Sequence, residues 1–186
     1  MVIPNLSYCV TAAFFALVIA PTAHSESSDT IEEIRAGLLY HDIKTNLDQR
    51  YEKGANVNAE LLFTIPDDSI LDYIWSPRPH LGVSINTQGG TSQFYGGLTW
   101  HFAIYSPIFL ELSLGGELHN GRTAEKSSKR QALGSQGLFR ESVSLGVEFC
   151  QNHTLSVMLD HASNASLTSN NPGLTSLGLR YGYKFS

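Results

Sequence analysis

Past residue 30 the chain alternates. Apolar and polar residues exchange places with a period of two through eight runs, roughly 33–43, 54–65, 79–87, 92–102, 108–119, 136–150, 153–163 and 174–185. A period of two is the signature of a β-strand with unlike faces. One face reads Ile34, Ala36, Leu38, Tyr40 in the first run and Leu177, Leu179, Tyr181, Tyr183 in the last. The other carries Asn56, Asn58, Glu60, Glu111, Glu117, Arg140, Glu148, Asp160, Arg180 and Lys184. Several runs are as long as tilted strands that cross a bilayer.

Two architectures fit such a pattern. A soluble sandwich or lipocalin-like barrel would turn the apolar face inward. An outer-membrane barrel would turn it to lipid and fill a narrow lumen with charges and small residues. The even strand count, the opposite charges sharing one face and the aromatic final strand "RYGYKFS" favour the second. The expected fold class is therefore all-β, an eight-stranded antiparallel transmembrane barrel of the outer-membrane type.

The remaining composition agrees. Residues 1–25 hold no charged side chain and contain the apolar run "CVTAAFFALVIAP", followed by Ala23-His24-Ser25. This reads as a signal peptide over 1–25, with the barrel domain over 26–186. Beyond the leader only Cys150 remains, so no intrachain disulfide can form. A net charge of -5 argues against a general nucleic-acid binder. The histidines are scattered and no CxxC or HExxH occurs, so no metal site and no cofactor are expected. Monomer and homodimer both remain open.

Connection lengths set the orientation. Outer-membrane barrels keep short turns at the periplasmic end and longer loops outside. The outer connections are then 44–53, 88–91, 120–135 and 164–173. The inner ones are 66–78, whose "DYIWSPRP" would lie at the interface, 103–107 and about 150–152. The basic loop 120–135, with Arg122, Lys126, Lys129 and Arg130, would be extracellular and could attract phosphates, although a simply solvated loop explains it too.

Chemistry concentrates at the end of the seventh run. Parity places His161 and Ser163 with Leu155, Val157 and Leu159, hence on the lipid face near the outer leaflet. Polar residues at a strand end are ordinary, and a His-x-Ser pair alone is a weak signal. However, "DHASNASLTSNNPGLTSLGLRYGYKF" (160–185), "SPRPHLGVSINTQGGTSQFYGGLTW" and "GGELHNGRT" resemble the PagL family of lipid A deacylases over most of residues 76–185. The resemblance implies an outer-membrane serine esterase that removes the ester-linked 3-position acyl chain of lipid A, with a Ser-His-Glu triad outside the barrel. Lipid A, or lipopolysaccharide, would be the substrate and the bacterial outer membrane the location.

Carried onto this chain, Ser163 resembles the nucleophile, His161 the base and Asn164 the support of the oxyanion. The family's acid falls on Thr175, which has no carboxylate. Glu141 shares the outward face of the sixth run. A three-residue turn near Gln151 would set 141 opposite 161, and a one-residue shift would set it opposite 163. Glu141 is thus the candidate acid, against the simpler reading of a rim charge. Thr175 also keeps alive a catalytically silent barrel with a structural or adhesive role.

Overall fold

The computed structural model describes residues 30–43, 52–66, 69–124 and 130–185. The leader expected over 1–25, and with it the leader–barrel boundary, lies outside these residues. So does the stretch 125–129 with Lys126 and Lys129.

Eight antiparallel strands form a closed barrel. They are β1 (Ile31–Tyr40), β2 (Ala55–Phe63), β3 (Arg78–Asn86), β4 (Gln93–Tyr105), β5 (Ile108–His119), β6 (Gly137–Phe149), β7 (His153–Ser163) and β8 (Leu174–Lys184). Each pairs with the next, and β8 closes on β1. Closure leaves no free edge, which a strand in hydrocarbon requires. The short turns Ser106–Pro107 and Cys150–Asn152 share one end with the longer β2–β3 connection. The loops after β1, β5 and β7 are at the other, which by turn length is the outer end.

The apolar face points outward. Leu38, Leu114, Leu145 and Leu179 are all more than half exposed, which rules out the soluble barrel with an inward apolar face. The lumen is packed with charge. Arg35 donates to Glu33 and to both oxygens of Glu111, at 2.7 and 2.8 Å. Arg78 reaches Glu33 and Glu111, Arg180 reaches Glu60, and Arg140 lies 2.8 Å from Asp160 and over the Tyr95 ring. These buried ions stand in place of water and are tolerable only because each faces an opposite charge.

Two features at the outer end position the site. Leu133, Leu138, Ala162 and Leu174 form a dry cluster. Ala162, fully buried there, commits its neighbours His161 and Ser163 to the outer face. Beside it, Glu52 ties the loops together, accepting from the backbone N–H groups of Thr91 and Gln131 and bonding His41. Burial works to raise the Glu52 pKa, but the hydrogen bonds from His41, Gln131 and Thr91 prevail and hold it below the usual carboxylate range.

Candidate active site

His161 is the centre of a row across three strands. It lies opposite Glu141 of β6 and opposite Thr175 of β8. The β6–β7 turn pairs Phe149 with His153, so the three-residue turn sets the register. All three side chains point away from the lumen, toward the level where the outer loops begin. Ser163 follows on the same face, opposite Phe139.

Thr175 occupies the place where an acid would hold the imidazole. Its Oγ1 lies 2.8 Å from His161 Nδ1. The hydroxyl can accept from Nδ1–H or donate to Nδ1; in the first case Nε2 carries the lone pair that a base needs. The backbone supports this contact. Thr175 O accepts from Ile43 N at 2.7 Å, where the end of β1 meets β8. Gly173 has φ +63°, and a side chain there would come within 2.8 Å of His161 Cε1. Glycine therefore clears the imidazole's flank.

Glu141 is exposed and makes no hydrogen bond to His161, whose Nδ1 is already taken by Thr175. Directly opposed residues have Cβ atoms about 5 Å apart. Its carboxyl group thus lies beside the ring without a fixed bond to it. No hydrogen bond joins Ser163 to His161 either; alternate residues of a strand lie about 7 Å apart, and such bonds commonly form only with substrate in place.

The Asn164 side chain is engaged within the structure. It is buried, and its Nδ2 donates to Leu133 O, Thr168 Oγ1 and Asn170 O. The side-chain amide donors thus hold the β7–β8 loop against Leu133. The Oδ1 atom is buried without a partner. Of the basic loop, Arg130 binds Gly89 O and Asn120 O, so it fastens loops together. Among the described residues no cluster of three His, Cys, Asp or Glu side chains could hold a metal ion. Cys150 is an exposed thiol in the β6–β7 turn, far along the strands from His161.

Two hollows flank the row on the outer wall. One, about 650 Å³, adjoins Phe139 and Asn164 and has Gly96 and Gly116 in its floor. A Cβ on Gly116 would meet nothing nearer than 3.6 Å, so the missing side chain leaves a real dent. The other, about 500 Å³, begins at His161 and Glu141 and is lined by Leu112, Leu114, Val143 and Leu159. It is an apolar trough leading away from a serine–histidine pair.

A family model described as lipid A 3-O-deacylase (PagL) matches residues 70–184. The chain belongs to the PagL family. The barrel also resembles the crystal structure of the outer membrane enzyme PagL, with TM-score 0.61 and 20% identity over 82% of this chain and 99% of that one. The N-terminal barrel domain of Pseudomonas aeruginosa OprF gives TM-score 0.57 at 15% identity, over 84% and 98% of the two chains. Neisserial surface protein A gives 0.55 at 13%, over 82% and 96%. At these identities the likeness speaks for the fold alone. No curated protein matches. As a PagL-family barrel, the protein is an outer-membrane protein of a lipid A deacylase family. The family match ends one residue short of Phe185 and spans the whole His161–Ser163–Thr175 region.

Proposed function

We propose that this PagL-family protein is a serine esterase that removes the 3-position acyl chain of lipid A, with the acid's role in its triad divided between Thr175 and Glu141. The row Thr175–His161–Glu141, with Ser163 two residues on, carries the reading. Ser163 Oγ attacks the ester carbonyl while His161 Nε2 takes its proton. His161 returns that proton to the departing sugar oxygen, and water then clears the acyl group from Ser163. Thr175 orients the ring and Glu141 stabilises the imidazolium. A carboxylate near a charged ring at the lipid boundary acts through a lower dielectric than in water, so it is effective without contact. The hydrolysed chain lies in the apolar trough, and the rest of the lipid rests over the glycine-floored hollow.

Mass spectrometry of lipid A from cells with and without the protein tests the activity. Loss of one 3-hydroxyacyl chain only when the protein is present supports it. Unchanged lipid A from cells holding a folded barrel favours the second reading, a catalytically silent barrel, for which the threonine at the acid's place and the separated serine speak.

The divided triad has its own test. Glu141→Gln is expected to lower kcat about 100-fold and Thr175→Val about 10-fold, within the range of a positioned acid–base system. Thr175→Glu sets a carboxylate against Nδ1 and is expected to raise kcat and to make Glu141→Gln nearly silent in the double variant. A Glu141→Gln barrel as active as the parent would sink the role given to Glu141.

A further inference from the structure

The β2–β3 connection does more than cross between strands. It forms a 3-10 helix, Ile70–Ile74, ending at Trp75. Trp75 is 84% exposed, as an interfacial aromatic would be. Yet it also lines the trough that begins at His161 and Glu141, together with Trp100 and Phe102. We propose that Trp75 is the end stop of this trough and sets the length of acyl chain that the site accepts. The proposal rests on the esterase reading above and adds its substrate selectivity.

Three observations carry it. The trough runs along paired residues, Leu159 opposite Val143, Val143 opposite Leu112, and Leu112 opposite Trp100. Leu159 is nearer the outer end of β7 and Trp100 nearer the short-turn end of β4. The trough therefore descends from the outer rim into the membrane. From His161 it covers two residues along a strand and three strand spacings across. At about 3.4 Å and 4.8 Å each, that makes about 16 Å. An acyl chain fills one leaflet's hydrocarbon, about 15 Å, so the trough has the length that a single acyl chain needs.

Trp75 is also held in place. Ser69 Oγ caps the start of the helix by accepting from Leu71 N. Trp75 itself sits at φ 66° and its N–H bonds Asp72 O. Ser76 N donates to Leu71 O, and Ser76 Oγ donates to Asp72 Oδ1 at 2.7 Å. A left-handed backbone on a bulky residue costs about 1–3 kcal/mol and persists only where its surroundings enforce it. Finally, Trp100 Nε1 donates to Ile74 O at 2.7 Å, pinning the helix to the barrel wall at the foot of the trough. A belt aromatic needs only to reach the headgroup level. A ring that lines the foot of a trough from a doubly capped, wall-pinned helix is placed to meet the end of a chain lying in it.

The occupant is the acyl chain of the ester at Ser163. Two measurements test this. In micelles, parent protein and Trp75→Ala are compared on synthetic acylated glucosamine phosphates that differ only in the length of the 3-position chain. Trp75→Ala is expected to move the optimum to longer chains, raising their rate relative to the parent's best chain about 10-fold, the scale on which a pocket resolves methylenes. Trp75→Phe should restore part of the parent profile. An unchanged profile in a folded Trp75→Ala barrel overturns the proposal. The second measurement needs no turnover. Ser163→Ala protein is irradiated with the same lipid carrying a diazirine at the end of that chain. Labels on Trp75, Trp100 or Leu112 support the stop, and labels spread evenly over β1, β2 and β8 overturn it. Hydrolysis surviving in Ser163→Ala would instead overturn the esterase reading, so the two failures are distinct.

Discussion

Ser163→Ala is expected to insert as a normal barrel and to leave lipid A fully acylated. The hydroxyl makes no bond that holds β7 in place; the strand is fixed by Ala162 within the dry cluster and by its pairing on both sides. The chemistry, by contrast, has no substitute for the nucleophile. Loss of one member of a serine–histidine unit costs about 10⁴- to 10⁶-fold in kcat, and loss of both costs little more. His161→Ala should therefore fall to a similar rate, and the double variant no further. The readouts are hydrolysis of a 3-acylated lipid in micelles and the shift in gel mobility on heating that reports a folded barrel. A Ser163→Ala barrel retaining a tenth of the parent rate would remove Ser163 from the mechanism.

Glu111→Ala is expected to have the largest effect on stability. Glu111 accepts from both terminal nitrogens of Arg35, from Arg78 at 2.6 Å, and meets His101 Nδ1 at 3.1 Å. Removing it leaves two buried guanidinium groups with less than their complement of negative charge. Breaking such a buried set by taking one partner costs about 3–5 kcal/mol. The midpoint of urea unfolding in micelles should fall accordingly, while the activity of the barrel that remains folded stays near the parent's, because His161 and Ser163 lie on the outer wall. A midpoint equal to the parent's would mean that the lumen charges are worth little.

The barrel was legible in the sequence because a strand's period of two meets two different surroundings here, lipid and a charged lumen. Residues such as Leu38 and Arg35 could not exchange faces. The β6–β7 register was legible to within one shift of the turn, and the three-residue turn at Cys150–Asn152 selects Glu141 opposite His161. The bond between Thr175 and His161 was not legible. Parity set Thr175 on the right face, but its level along β8 depends on a ten-residue loop, 164–173, that no turn rule governs. The contacts of the Asn164 side chain were not legible either, because its position in the chain does not reveal that Leu133, from another loop, folds beneath it. Trp75 read as a belt residue because the hollow it lines is made by β4 to β7, which its position in the chain does not reveal.

The placement of this site on the barrel's outer wall, with the lumen closed by ion pairs, has a kinetic consequence. On the esterase reading proposed above, substrate reaches Ser163 sideways, by two-dimensional diffusion within the leaflet, and the released fatty acid leaves by the same plane. The relevant concentration is then the mole fraction of substrate among the amphiphiles around the protein, not its amount per volume. Added inert detergent should slow the purified protein even when protein and substrate are held constant, and crowding the outer leaflet with substrate should speed it without any change in the protein.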